Sequence, residues 1–352
     1  MKKPARNLTT IKDVAAFAAV SPAAVSHVIN GNDQHVSEKT RLRIWQAIEQ
    51  LKYRPNAIAR SMVKRTTATI GVVIMELTNP LFAPVIGGIE EVLQPANYNM
   101  LLASAENLEA EMRAVETLKS KQVDGFIFLS LSIKYPSEHI LQLKHEGKAL
   151  VVINRYLDEP AINRVQVDDF GAAQAVTRHL ISLGHTRIGI IAGPLENEPP
   201  RRSALERFGG WQAALREADL EIHPEWILLG DYGYKSGYDA VATLLSHPIS
   251  QQPTALFVAN ESMAMGALKA SHEAGRSVPQ NLALVTVGDP PFAAYTVPAL
   301  TTTTLPFVKA GTVAAQILLG NLKTQEEVRP QSVTLGCTIK IRESCGASLS
   351  RD

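Results

Sequence analysis

Cysteine is almost missing from this 352-residue chain, which carries only Cys337 and Cys345, close together near its end. Two thiols without zinc-ligand companions make neither a disulfide scaffold nor a zinc site, so two free thiols, no metal and no cofactor are expected. Long apolar runs are missing too. GFIFLSLSI, Gly125 to Ile133, falls well short of the roughly 18 residues that a membrane span needs. MKKPARNLTT has no apolar segment behind its lysines, so no secretory leader is expected and the cytoplasm is the expected compartment. The chain also lacks G-x-G-x-x-G, a P-loop, H-E-x-x-H and G-x-S-x-G, for which GYKSG at 233–237 has the wrong spacing. Enzymatic readings lose their usual anchors, and no catalytic residue is nominated. His185, in LGHTRIGI, reads as a structural turn residue ahead of a strand.

Acidic residues are scarce at one end. Residues 1–65 hold 4 Asp+Glu against 12 Lys+Arg, a net of +8, whereas the other 287 residues hold 30 against 23, a net of −7. A positive field concentrated on one small module suits a polyanion, of which nucleic acid is the common one. This head is no solvated basic tail, because its apolar residues recur at helical spacing. Ile11, Val14, Ala15 and Ala18 share one face; Val25, Val28 and Ile29 share another; Leu42, Ile44, Trp45, Ile48 and Leu51 belong to a third helix opened by Ser37 and Glu38. In SPAAVSHVIN, Ser21 can cap the second helix and Pro22 suits its first position, where a missing N–H is no loss. Three short helices, the first two joined tightly through Ala18–Val20, predict a helix-turn-helix module at 8–54. In such modules the tip of the second helix meets base edges in the major groove, and Pro22 and Ala23 can touch a thymine methyl. The stretch YRPNAIARSMVKR follows. Pro55 ends the preceding helix and Asn56 can cap a new one of about eight residues, too short to be stable alone in water, which makes 55–66 a candidate hinge.

Beyond Thr66 short hydrophobic stretches alternate with helical ones: ATIGVVIM, NMLLASA, GFIFLS and ALVVIN, then RIGIIAG, WILLG, TALFVAN and LALVTVG. Such near-continuous apolar strands belong to parallel sheets covered on both faces. The expected architecture is a small all-α head plus an α/β core, 67–342, of two doubly wound parallel-sheet subdomains. Their expected extents are 67–167 with 295–325, and 168–290 with 326–342. Ligands of such sheets bind beyond the carboxyl ends of the strands.

TIKDVAAFAAVSPAAVSHVING, VSEKTRLRIWQAIEQLKYRPNAIARSM, IGVVIMELTNPLF, LGHTRIGIIAGP, ALFVANESMAMGAL and VPALTT together resemble the lactose-repressor (LacI/GalR) family over residues 9 to 342. The resemblance implies a dimeric, DNA-binding transcription regulator, a repressor of a pseudo-palindromic operator, whose core is similar to periplasmic sugar-binding proteins and takes a small effector. It assigns base reading to Pro22, Ala23, Ser26 and His27, and phosphate contacts to Thr10, Ser21, Asn30, His35, Ser37 and Thr40. Tyr53, Asn56, Ala59 and Met62 complete the DNA set, with Met62 as the minor-groove wedge where leucine is usual. His27 stands where the family commonly has arginine. A different operator base is expected there, with affinity rising in mild acid as the imidazole charges.

For the effector the resemblance implies Phe82 and Tyr232 as walls and Asn154, Arg155, Arg207, Asn260 and Asp289 as polar contacts. Where the family often reads G-F-D-D this chain reads T-V-G-D-P-P, so Gly288 falls at the first aspartate and only Asp289 remains. Losing that acid while keeping Asn154 and Arg155 favours a phosphorylated or carboxylated sugar. Two other classes stay open: a solute-binding protein, which would want a leader in place of the basic head, and a sugar-modifying α/β enzyme, which would want a pair of cleft carboxylates about 5–10 Å apart. Only IRESCGASLSRD follows the last strand, with no apolar heptad tail, so a dimer is expected rather than a tetramer.

Overall fold

The computed structural model describes residues 9–31, 33–54, 66–75, 82–130, 137–155, 157, 159, 161–195, 201–324 and 329–347. The chain divides into a unit ending at Thr67 and a second unit from Ala68 onward.

In the first unit, α1 (Ile11–Phe17), α2 (Pro22–Ile29) and α3 (Glu38–Gln50) each begin at a capping side chain. Thr10 forms a reciprocal capping box with Asp13, the Ser21 hydroxyl accepts from the Ala24 amide, and the Ser37 hydroxyl accepts from the Thr40 amide. Val14, Ala15, Ala18, Val25, Val28, Ile44 and Ala47 form the core of this unit, with Tyr53 packed against it. The α1–α2 turn is held by Val20 N–H donating to the Ala15 carbonyl, and Ala19 takes a left-handed φ of 48° to make it. Leu42 and Trp45 lie outside this core, 58% and 48% exposed, because Ile44 and Ala47 already set the inward face of α3.

The second unit alternates as expected. Its first sheet takes β1 (Thr69–Ile74), β2 (Asn99–Ser104), β3 (Gly125–Leu129), β4 (Ala149–Ile153) and β5 (Asn163–Val167), interleaved with α4 (Phe82–Leu93), α5 (Leu108–Ser120) and α6 (Glu138–His145). After α7 (Asp169–Ser182) come β6 (Ile188–Ala192), α8 (Arg202–Glu217), β7 (Ile227–Leu229), α9 (Tyr234–Leu245), β8 (Ala255–Val258), α10 (Glu261–Glu273) and β9 (Ala283–Val287). β10 (Thr301–Thr304), α11 (Phe307–Lys323), β11 (Ser332–Leu335) and β12 (Thr338–Lys340) complete the order. The sheets run β11-β5-β4-β3-β1-β2 and β12-β10-β9-β8-β6-β7. Both have a switch point, at β1/β3 and at β6/β8, where connections leave in opposite directions and open a crevice. Among the described residues only the β10–β12 pair is antiparallel. β3, β6 and β9 are buried along their whole length, as strands covered on both faces must be.

The expected subdomain extents need correction at the C-terminal side. β10 lies in the second sheet and β11 in the first, so the chain crosses between sheets three times: near Asp168, near Leu305 and at Gly336–Cys337. One apolar cluster joins the sheets, from Ile70 and Val151 through Phe307 and Leu318 to Trp211 and Phe257.

Candidate functional site

On the head, α2 turns Val25 and Val28 inward and leaves Ser21, Pro22, Ala23 and His27 exposed. The tip therefore offers small apolar surface and one imidazole. Ser26 is half-buried and tied to Asn30, whose amide nitrogen donates to the Ser26 carbonyl at 2.8 Å and to its hydroxyl at 3.3 Å. Thr10, Ser21 and Ser37 sit at helix N-termini, where unpaired amides favour an anion. Thr40 shares a hydroxyl contact of 2.9 Å with Ser37, and His35 is exposed. Tyr53 instead packs half-buried on the head core. Asn56, Ala59 and Met62 lie outside the described residues.

In the second unit, Asn154, Gln166, Val167, Asp168, Asp169, Arg202, Glu206 and Thr334 line a cleft of ≈ 190 Å³ beyond the carboxyl ends of β4, β5 and β11. Two backbone positions at this end are strained. Asn154 has φ 52° and Tyr232 has φ 72°, a region that a bulky residue enters only when its surroundings enforce it. Asn154 is held by its side-chain oxygen, which accepts from the Val167 amide at 2.9 Å, and Tyr232 by its carbonyl, which accepts from the Asn260 amide nitrogen at 3.0 Å. Asn260 also caps α10 by accepting from the Met263 amide. The Tyr232 ring packs on Gly193, where a Cβ would stand 2.3 Å from it, and the Arg201 guanidinium lies 5.6 Å from the ring centroid. Burial raises the Tyr232 phenol above its usual range, against the opposing pull of Arg207 and of Ser203.

Arg207 is 6% exposed; its Nε donates to Asp169 Oδ1 at 2.8 Å and its Nη1 to the Ala259 carbonyl at 2.6 Å. Its partner is thus Asp169, while Glu206 pairs with Arg202. Burial and the nearby Asp169 and Asp168 raise the Glu206 carboxyl, outweighing Arg202. Asp168 caps α7, accepting from the Gly171 amide at 2.8 Å. Beside Arg207, Glu261 is 3% exposed, and its burial pushes the carboxyl up against the opposing pull of its own amide and Arg207.

Three expected effector residues are placed elsewhere. Phe82, 1% exposed, is part of the inter-sheet core, since an aromatic ring at the start of α4 gains more from full burial than from a cleft wall. Arg155, also 1% exposed, points its Nη1 at both carboxylate oxygens of Glu111, 2.7 and 2.8 Å away, so its charge is already matched. Asp289 receives Arg342 Nη2 at 2.6 Å, Lys340 Nζ at 2.7 Å and the Thr302 hydroxyl at 2.9 Å, which binds β12 and β10 to the end of β9. Burial would raise the Asp289 carboxyl, but these donors hold it below the usual range. The sequence reading missed Asp168, Asp169, Arg202, Glu206 and Glu261; the acidic pair directly after an apolar strand in VQVDDFG was the available signal. His185 contacts the Thr254 hydroxyl through Nδ1 at 3.0 Å, a turn tie, and both cysteines are free. No described helix is long and apolar enough to cross a membrane.

The description "Bacterial regulatory proteins, lacI family" matches residues 10–56, and "Periplasmic binding protein-like domain" matches residues 177–345. The ribose operon repressor of Escherichia coli (strain K12) is 35% identical over 329 residues, which cover 93% of this chain and 97% of the relative. The HTH-type transcriptional repressor PurR of Aliivibrio fischeri (strain MJ11) is 34% identical over 336 residues, with the same two coverages, 93% and 97%. The solved lac repressor dimer bound to operator and the anti-inducer ONPF matches with a TM-score of 0.83 at 26% identity, over 96% of this chain and 99% of that one. A capped reading helix on a basic head, two crossed-over parallel sheets and relatives of this extent converge: the chain belongs to the lacI family of bacterial regulatory proteins, as a DNA-binding repressor with a ligand-binding core.

Proposed function

We propose that this repressor works as a homodimer in the cytoplasm, without catalysis of its own, and that a small effector bound between the two sheets controls its grip on a pseudo-palindromic operator. The observation that carries the reading is the cleft lined by the strained Asn154 together with Asp168, Asp169, Arg202 and Glu206, since strain of this kind persists where function requires it. Each described carboxylate of the cleft already serves a cap or an ion pair, which favours a binding role over acid–base chemistry. The dimer, the operator and a small ligand are all named for the lac repressor structure. In this reading Pro22, Ala23, Ser26 and His27 read bases, Thr10, Ser21, Asn30, His35, Ser37 and Thr40 fix register on phosphates, and Tyr53, Asn56, Ala59 and Met62 complete the contact through the segment 55–66. Asn154, Arg207, Tyr232 and Asn260 frame the effector.

Mobility shift of genomic fragments, with and without a panel of sugars, sugar acids and sugar phosphates, tests the whole reading. A fragment that binds and is released or tightened by one compound supports it. Absence of specific DNA binding under every condition contradicts it. The His27→Arg variant is expected to change the preferred base at one operator position in a binding selection, because arginine holds guanine through two hydrogen bonds and imidazole offers one.

A further inference from the structure

We infer that Asn30 is a positioning residue for DNA reading: it holds the Ser26 hydroxyl as a donor, and Ser26 thereby selects a base that accepts in the major groove over cytosine, which there only donates. This rests on the base contact proposed above for Ser26, and it moves Asn30 from the phosphate set to a role exerted through Ser26. Asn30 closes the last turn of α2 onto that one residue. Its backbone N–H donates to the Ser26 carbonyl at 3.1 Å, and its side-chain nitrogen donates to the same carbonyl at 2.8 Å and to the Ser26 hydroxyl oxygen at 3.3 Å. A side-chain amide nitrogen carries two hydrogens, so both are spent on Ser26 and neither is left for a phosphate.

The composition of α2 makes that polarity count. Within the helix only Ser26 and His27 carry polar side chains, and the Ser21 hydroxyl ahead of it already accepts from the Ala24 amide as the cap. Hydrogen-bond reading by α2 thus falls to two residues. A free serine hydroxyl rotates, and because it both donates and accepts it separates bases poorly. Here Asn30 occupies one lone pair, and the half-buried hydroxyl makes no other hydrogen bond among the described residues. The bond from Asn30 also polarises the hydroxyl and strengthens it as a donor. Once DNA displaces water, an oxygen that already accepts one bond tolerates an empty second lone pair, whereas its single hydrogen left unmet costs the full desolvation penalty. Guanine, adenine and thymine each offer that hydrogen an acceptor in the major groove; cytosine presents its N4 donor instead.

The test is a binding selection on the full-length protein from a randomised pseudo-palindromic library, followed by fluorescence anisotropy on the selected operator and its single-base variants. Wild type, Ser26→Ala, Asn30→Ala, the double variant and Asn30→Asp are compared. Wild type is expected to disfavour cytosine by about fivefold or more at one position of each half-site. Ser26→Ala and Asn30→Ala should both relax that position and leave the others unchanged, and the double variant should lose no more discrimination there than either alone. A merely structural Asn30 would change affinity without changing which base is preferred. In Asn30→Asp the carboxylate takes up the hydroxyl hydrogen and leaves Ser26 only an acceptor, which should turn the preference toward cytosine. Ser26→Ala puts a better helix former into α2, so it tests the donor assignment even where a change at the end of the helix unfolds the head. An Asn30→Ala variant that weakens every sequence alike and lowers the salt slope by about one marks a phosphate contact and overturns the inference. Ser26→Ala with an unchanged preference overturns it too. If wild type selects no sequence at all, the base-reading role proposed for α2 fails and takes this inference with it.

Discussion

At the scale of single residues, burial separates the ion pairs that matter from those that do not. Arg178 and Glu217 touch at 2.6 Å but are 56% and 48% exposed, a setting worth under about 1 kcal/mol. Glu111 is different: it is 3% exposed, takes Arg155 through both oxygens, and lies 2.5 Å from His139 Nε2. Burial would raise its carboxyl, but His139 and Arg155 outweigh that and hold it below its ordinary 4.5. Glu111→Gln leaves Arg155 buried without a counter-charge and is expected to destabilise the core by about 3–5 kcal/mol in urea unfolding at neutral pH. Because the folded carboxyl has the lower pKa, its contribution is present above the ordinary 4.5 and lost as pH falls through the folded value. The gap between variant and wild type should therefore close in acid; a gap that widens there would contradict the assignment. Ala19 gives a second case. Its φ of 48° is one that glycine adopts without a Cβ penalty, so Ala19→Gly should stabilise the isolated head by up to about 1 kcal/mol in thermal unfolding. A loss of stability would show that the turn is not strained.

Elements follow from local pattern where the pattern is strong. The helix starts at Ser21 and Ser37 and the apolar runs of β1, β3, β6, β8 and β9 were legible because one residue type or one period defines each; the capping box at Thr10 was seen only in the structure. β5 was not: Asn163–Val167 reads NRVQV, and its burial alternates, with the Asn163 amide donating to the Leu150 carbonyl and accepting from the Gln331 amide. The strand Thr301–Thr304 carries four hydroxyls, yet Thr301, Thr302 and Thr303 are fully buried; Ser344 and Arg342 meet polar groups of Thr301 and Asp289 meets the Thr302 hydroxyl. Helix contacts were equally hidden. A Cβ on Gly266 would stand 2.0 Å from the Tyr234 carbonyl oxygen, so α9 and α10 meet backbone to backbone. Gly266→Ala should push them apart at a cost of about 1–3 kcal/mol, with a lowered thermal midpoint. An unchanged midpoint would mean the helices separate freely.

The molecule as a whole carries its charge unevenly, with a net of +8 on residues 1–65 and −7 on the remainder. Operator binding should therefore depend steeply on salt, falling about a thousandfold or more between 50 and 200 mM if six or more phosphates are neutralised. Fluorescence anisotropy on a labelled operator measures this directly, and a flat salt dependence would remove the head's charge from the binding account. The sequence by itself determined the class of each unit, the helix-turn-helix order, the parallel sheets and the basic head, because caps, apolar period and charge are local properties. Only the tertiary structure decided that Arg155 and Asp289 are consumed by Glu111 and by Lys340 and Arg342, and that β10 and β11 exchange sheets. Those outcomes depend on which charges share a buried space, and partners 44 and 53 positions apart in the chain leave no trace in its local pattern.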